Sequence, residues 1–257
     1  MEPLRNLFTV RDAECEKHGR FESRNLYRTV WSVCPACEQD RRDAEVLHDM
    51  QIGLEQDKAK HKAMLDAAAI PQRFIGRDFE NFSAQTDGQR RALTVSRDFA
   101  ESFPEHRRKG SGLIFAGLPG TGKSHLAAAI LQVAMLGGKN AVAYTTCLDM
   151  IRSVRDTWRR DSVRSETQVL NHLQGLDLLA IDEVGVQYGT DGEQTILFDV
   201  LDRRYREMKP TILLTNQDSD GFKGFIGERT YDRLKETTRW VAFDWPSHRP
   251  QARRDAS

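Results

Sequence analysis

Apolar residues fall into two regimes along the chain. From about residue 110, short unbroken apolar runs alternate with mixed stretches. Gly112–Ala116 is apolar throughout, as a strand covered on both faces must be. Ala141–Tyr144, Leu176–Ile181, Thr211–Thr215 and Trp240–Phe243 repeat that texture and read as four more strands. Lys123–Leu136 reads as a helix with Ala127, Ala128, Ile130 and Leu131 inward, ended by Gly137-Gly138. Strands alternating with helices predict an α/β fold with a parallel five-stranded sheet and right-handed crossovers. Upstream, residues 38–69 open with Glu38-Gln39-Asp40-Arg41-Arg42 and contain no proline. There Val46, Met50 and Leu54 recur every fourth residue, with Leu47 beside them, which predicts an amphipathic helix weakened at Gly53. Ile70-Pro71 stops it, because a residue before proline is pushed out of the helical region. Such a helix suits a solvated spacer and a partner-docking element equally. Residues 1–37 show little periodicity and hold three of the four cysteines. The expected domains are therefore 1–37, a helical linker at 38–69, and an α/β core at 70–257.

The chemistry is concentrated in the alternating region. Gly117-Leu118-Pro119-Gly120-Thr121-Gly122-Lys123-Ser124 matches G-x-x-x-x-G-K-[ST] between a strand and a helix. Its glycines let successive backbone N–H groups turn inward as an anion nest, and the following helix adds its positive end. Lys123 is expected on the β- and γ-phosphates and Ser124 on Mg²⁺. Asp182 and Glu183 end the third strand, where ligands of open α/β sheets bind. Asp182 is expected to hold Mg²⁺ through water, and Glu183 to polarise the attacking water. Asn216 ends the fourth strand, placed to bridge the γ-phosphate and that water. A guanine-reading N-K-x-D is missing, since Asn216-Gln217-Asp218-Ser219 does not fit. ATP is the expected nucleotide.

Two further groups stand outside that site. Cys15-x₂-His18 and Cys34-x₂-Cys37 are paired half-sites that can close a tetrahedral Zn²⁺ site with three thiolates and one imidazole. Four ligands leave no open position, so that site is expected to be structural. Phe21, Tyr27 and Trp31, expected exposed in the loop between the pairs, suit base stacking or cover for the metal knuckles. Arg152, Arg155 and Arg159 follow i, i+3, i+7, with Trp158 among them. This pattern reads either as a track for single-stranded nucleic acid or as a solvated face with Trp158 in the core. Cys147 is expected in the core.

Composition narrows the classes. In 257 residues, 38 Lys and Arg balance 38 Asp and Glu, which excludes a bulk polyanion-coating protein and leaves a local DNA track open. Charged residues make up 30%, and no apolar run approaches the roughly 18 residues of a membrane span, so no membrane partner is expected. The start, Met1-Glu2-Pro3-Leu4-Arg5, lacks a signal-peptide apolar stretch, and four cysteines are too few for a disulfide framework. A cytoplasmic protein is expected.

From Ile70 to Arg249 the chain resembles the AAA+ ATPases, and within them the DnaC-type replicative helicase loaders. The likeness runs through Ile70-Pro71-Gln72-Arg73-Phe74, Phe79-Glu80-Asn81-Phe82, Gly120 to Leu126 including His125, Leu179 to Gly185, and Arg204-Tyr205 before Pro210 to Asn216. Its most specific parts are Gly227-Glu228-Arg229-Thr230-Tyr231-Asp232-Arg233-Leu234 and Phe243-Asp244-Trp245-Pro246-Ser247-His248-Arg249. The resemblance implies Arg229 or Arg233 as the finger reaching a neighbouring subunit's γ-phosphate, Arg249 as second sensor, and His125 among the nucleotide-binding residues. It also implies a replicative hexameric DNA helicase and single-stranded DNA as partners, with self-association on ATP, DNA or the helicase. Eight residues follow Arg249, too few for the usual helical lid, so a core with little or no lid is expected. An IstB-like transposition helper and a zinc-ribbon adaptor with a nucleotide-sensing site are the rival readings. Intact Asp182 and Glu183 argue against the latter.

Overall fold

A computed structural model describes residues 9–137, 140–186 and 191–248; Arg249 lies outside them. The chain divides into two compact units, at Lys62 and Ala63.

The first unit begins with two antiparallel strands, β1 (Val10–Cys15) and β2 (Gly19–Tyr27), paired from Val10–Arg24 to Cys15–Gly19. A short β3 (Val30–Trp31) pairs with β2 across a register shift between Asn25 and Tyr27. The stretch read above as a loop is thus a sheet. Phe21 and Trp31 are half-buried and only Tyr27 is exposed, so the three do not form one exposed aromatic surface. The guanidinium of Arg11 lies 4.2 Å from the centre of the Trp31 ring. Helix α1 (Pro35–Ala67) opens on proline, the residue pre-set for a first helical position. Ion pairs one turn apart support it: Arg41 with Glu38 (2.7 Å) and Glu45 (2.8 Å), Lys58 with Glu55 (2.9 Å). They lie on both sides of Gly53, through which the helix runs unbroken. Val46, Leu47, Met50 and Leu54 are all exposed along it.

The second unit takes in the end of α1, then α2 (Asp87–Glu101) and α3 (Phe103–Lys109). Thr86 and Gln89 cap α2 reciprocally, each side chain bonding the other's backbone N–H. The remaining elements alternate: β4 (Gly112–Gly117), α4 (Lys123–Leu136), β5 (Val142–Thr146), α5 (Cys147–Arg155), α6 (Glu166–Gly175), β6 (Leu178–Val184), α7 (Asp191–Arg206), β7 (Thr211–Thr215), α8 (Ser219–Ile226), α9 (Glu228–Thr237) and β8 (Thr238–Phe243). All five strands expected from the sequence are present and parallel, in the order β5-β6-β7-β4-β8. Successive residues pack on opposite faces. Leu113, Phe115, Ala180 and Leu214 join α2 and α4, while Ile114, Leu179, Ile181 and Leu213 join the helices from α5 onward. Both faces are covered, which is why the strands read as continuous apolar runs.

Arg204 on α7 is buried in the second layer. Its guanidinium donates to the carbonyls of Leu173 (2.6 Å), Leu176 (3.0 Å) and Pro210 (2.6 Å) and to Thr211 Oγ1 (2.9 Å). It ties the end of α6 to the start of β7. Burial lowers its pKa to about 9, so it stays charged near neutrality.

The basic track does not form as the sequence suggests. Helix α5 ends at Arg155, Asp156–Trp158 is a tight 3₁₀ turn, and Arg159 is extended. Arg159 therefore leaves the helical face that Arg152 and Arg155 occupy. Each arginine faces a carboxylate: Arg152 Asp149 (3.7 Å), Arg155 Glu193 (3.3 Å), Arg159 Asp161 (3.5 Å). Trp158 is not in the core. It is 60% exposed, with its Nε1 donating to Glu166 at 2.6 Å. Cys147 is buried, and burial pushes its thiol up to about 12.

Candidate functional site

The phosphate loop joins β4 to α4. Gly117 has φ +149° and lies against Phe243 of β8, where an added Cβ would sit 2.1 Å from the Phe243 carbonyl oxygen. Gly122 has φ +97°, and an added Cβ there would meet the Phe82 ring at 2.6 Å. Both positions need glycine for backbone angle and for space. The loop is braced from three sides. Thr121 Oγ1 donates to the Leu118 carbonyl (2.8 Å), Trp245 Nε1 to the Thr121 carbonyl (3.0 Å) and the His248 N–H to the Gly120 carbonyl (2.9 Å). Leu118 and Pro119 are exposed.

Strand order brings the other pieces to this loop. Because β7 lies between β4 and β6, Asn216 falls between the phosphate loop and the acidic pair. Lys123 is buried, its ammonium donating to Asn216 Oδ1 (2.8 Å) and to the carbonyls of Gly117 (2.6 Å) and Leu118 (2.9 Å). Ser124 Oγ donates to Asp182 Oδ2 at 2.7 Å, so the two side chains expected at Mg²⁺ already touch. Their hydroxyl and carboxylate oxygens are the donor set a hard cation takes. The strand runs on through the acidic pair to Val184, with its register against β7 shifting between Ile181 and Val184. Glu183 has φ +59°, a left-handed angle uncommon for a non-glycine residue, and is exposed. Its N–H donates to Asp182 Oδ1 (2.7 Å). Thr215 Oγ1 donates to the Val184 carbonyl (2.7 Å) and Gln217 Nε2 to the Gly185 carbonyl (3.1 Å). These bonds fasten the end of β7 to the loop after the acidic pair.

His125 offers its ring elsewhere. Its Nε2 lies 2.7 Å from the Asp78 carbonyl, and its ring meets Phe82 edge-on at 5.4 Å. What it can give a phosphate is its backbone N–H, one of the unpaired donors in the first turn of α4. Burial lowers its pKa. Tyr144 and Gln217 lie outside the motifs, Phe82 and Trp245 entered only through the family resemblance, and the sequence marked none of the four as a site residue. Tyr144 has one general signal, since a phenol on a buried strand must find an acceptor. It donates to Asp182 Oδ2. Burial, then the Asp182 charge, raises its pKa and keeps the phenol protonated.

Helix α9 carries the two candidate finger arginines. Arg229 is exposed, its guanidinium 5.8 Å from the Phe198 ring centre. Arg233 is half-buried, 5.9 Å from Phe198 and 5.4 Å from Tyr205, and pairs with Asp202 of α7. The structure thus engages Arg233 within its own subunit and leaves Arg229 at the surface.

In the first unit the ligand atoms of Cys15, His18, Cys34 and Cys37 all lie within 4.8 Å of one another. Cys15 Sγ is 3.4 Å from Cys37 Sγ, and His18 Nδ1 is 3.3 Å from Cys37 Sγ, 3.7 Å from Cys34 Sγ and 3.8 Å from Cys15 Sγ. A zinc ion with Zn–S bonds of about 2.3 Å places tetrahedral thiolates roughly 3.7 Å apart, so the cluster has the right size. All four cysteines of the chain are free thiols. The N–H groups of His18 and Lys17 lower the Cys15 pKa to about 6, which favours the thiolate, while hydrogen bonding with Cys15 pushes Cys37 up to about 11. His18 Nε2 lies 3.2 Å from Asp40 Oδ2, and Lys17 also pairs with Asp40. A carboxylate on the far nitrogen of a ligating imidazole fixes its tautomer and orientation.

Comparison with known proteins bears on the whole arrangement. Residues 44–256 match the family described as IstB-like ATP binding protein. The replicative helicase loader DnaC of Buchnera aphidicola (subsp. Schizaphis graminum) is 34% identical over 220 residues, covering 85% of each chain. The loader of the same name from Escherichia coli K12 is 40% identical over 172 residues, 66% of this chain and 68% of that protein. A crystal structure of the DnaC helicase loader superposes with a TM-score of 0.60 at 23% identity, over 66% of this chain and 98% of that one, a likeness of fold. Among the described residues no helix is long and apolar enough to cross a membrane.

Proposed function

Since this chain belongs to the IstB/DnaC family of ATP-binding proteins, we propose that it is an ATP-dependent loader that binds a replicative hexameric helicase and delivers it onto single-stranded DNA. The observation that carries this reading is the extent of the likeness. The match to the Buchnera loader is longer than the entire unit from Ala63 to Ser257, so it is not confined to a nucleotide module. A transposition helper would share that module, but the curated relatives compared carry the loader name.

Each residue then has a task. The backbone N–H groups of the loop and of the first turn of α4 cradle the phosphates, and Lys123 exchanges Asn216 and two carbonyls for phosphate oxygens. Ser124 and Asp182 hold Mg²⁺, which neutralises phosphate charge when bound. Glu183 accepts a proton from the attacking water, and Asn216, released by Lys123, orients that water. Cys15, His18, Cys34 and Cys37 hold a structural Zn²⁺ that closes β1–β3 onto the start of α1. The exposed stripe Val46, Leu47, Met50 and Leu54 is the docking face for the helicase, presenting its anchors at helical spacing. Pull-down of a replicative helicase by the purified protein tests the partner. The companion measurement is ATP hydrolysis with and without single-stranded DNA. Failure to retain any replicative helicase, with the protein folded and ATP bound, would overturn the loader reading.

Loading by an assembly needs a residue that acts across subunits, and Arg229 is the better placed arginine. Arg229→Ala is expected to keep nucleotide binding but to lower assembly-stimulated hydrolysis to the isolated subunit's rate. A trans finger stabilises charge in a neighbour's transition state and matters only when subunits adjoin. Mixing Arg229→Ala with Lys123→Ala checks this, because one supplies an intact site and the other an intact finger. Mixed assemblies should regain part of the activity. If they form and regain none, Arg229 does not act in trans. Arg233→Ala should instead loosen α9 from α7, by removing the partner of Asp202.

A further inference from the structure

Tyr144 sits opposite Ala180 in the β5–β6 register, and Asp182 lies two residues further along β6 on the same face. A phenol spans that diagonal, and its hydroxyl ends on Asp182 Oδ2. The same oxygen accepts Ser124 Oγ at 2.7 Å, while Oδ1 accepts the Glu183 N–H at 2.7 Å. A carboxylate has about four lone-pair positions. Three are filled, both of those on Oδ2 among them, so the open one is on Oδ1. This fixes the rotation of the carboxylate. It also directs the Ser124 proton to Asp182, which leaves the Ser124 oxygen lone pairs free for a cation. The Tyr144 ring packs 6.2 Å from Phe74, in a buried setting that a phenylalanine would fill as well. Packing therefore accounts for the ring but not for the hydroxyl.

We propose that Tyr144 is a positioning residue for the nucleotide's divalent cation, its hydroxyl holding Asp182 and, through it, Ser124 in the orientation the cation requires. The proposal rests on the nucleotide-site reading above and assigns a role to a residue outside the motifs. Outer partners that orient metal ligands typically change metal affinity by about 10–100-fold when removed.

The test uses the full-length protein, a non-hydrolysable ATP analogue and Mn²⁺ followed by electron paramagnetic resonance. Tyr144→Phe keeps the ring and removes the hydroxyl. It should weaken Mn²⁺ binding in the ternary complex by about tenfold or more and alter the bound-ion spectrum, while analogue affinity without metal matches the wild type. Wild-type Mn²⁺ affinity in Tyr144→Phe, with Asp182→Asn weakened, would overturn the Tyr144 role and leave the nucleotide site standing. Loss of metal-free analogue affinity in Tyr144→Phe would also overturn it, because the phenol would then support the phosphate loop. Unchanged Mn²⁺ affinity in Asp182→Asn, with unchanged analogue affinity in Lys123→Ala, would overturn the site itself.

Discussion

Lys123→Ala is expected to lose ATP binding by at least about a hundredfold, since each charged hydrogen bond to phosphate contributes roughly 1.5–3 kcal/mol and the ammonium can make two. Glu183→Gln is expected to bind ATP as the wild type does and to lose about 10²–10⁴-fold in hydrolysis, the usual range for removing a general base. The two substitutions separate binding from chemistry because the site separates them. Lys123 is buried in the loop at 7% exposure, whereas Glu183 is exposed, in a left-handed conformation near the end of β6. Equilibrium binding of a fluorescent ATP analogue reads the first, and single-turnover phosphate release the second. Melting curves show whether Lys123→Ala merely unfolds. Equal nucleotide affinity in wild type and Lys123→Ala would sink the assignment. So would Glu183→Gln hydrolysing at the wild-type rate.

The larger effect concerns the small unit. About one zinc ion per chain is expected, and its removal should unfold residues 9–37. Structural zinc in small domains contributes about 10–16 kcal/mol of apparent binding energy at neutral pH. Nothing else in that segment supplies a comparable term. Cys34 and Ser23 are its only buried residues among those described, and the remaining strand positions are half-buried or exposed. A three-stranded sheet this small does not bury enough apolar surface to fold on that alone. Elemental analysis of protein purified without added metal tests stoichiometry. Hydrogen exchange before and after chelation should show protection lost in β1 and β2 and retained in β4, β6 and β7. Absence of stoichiometric zinc would refute the metal site, and an unchanged exchange pattern after chelation its structural role.

How much of the site was legible depends on how far its parts lie apart in the chain. The phosphate loop is eight consecutive residues whose chemistry is made by their own backbone, so its spacing was enough. The cysteine pairs behave similarly within each half-site. Trp158 shows the opposite case. Its neighbours have helical spacing, yet its indole bonds to Glu166 of α6, and the chain leaves the helix at Arg155 to reach that partner. Local spacing carries no record of such a contact. Arg229 and Arg233 look equivalent as a pair four apart, and the Asp202 and Tyr205 side chains from α7 separate them.

The sequence by itself determined the elements and the local chemistry. Unbroken apolar runs specify doubly covered strands, glycines specify the turns that an anion nest needs, and paired cysteines specify metal half-sites. Each depends on residues within a turn or a strand of one another, where covalent geometry limits the outcomes. Only the tertiary structure decided which elements became neighbours. Placing β7 between β4 and β6 sets Asn216 on Lys123, 93 residues away in the chain, and laying β5 beside β6 sets Tyr144 on Asp182. That order follows from how the crossover helices pack on the two faces of the sheet, a collective property of the whole core, and no single segment encodes it.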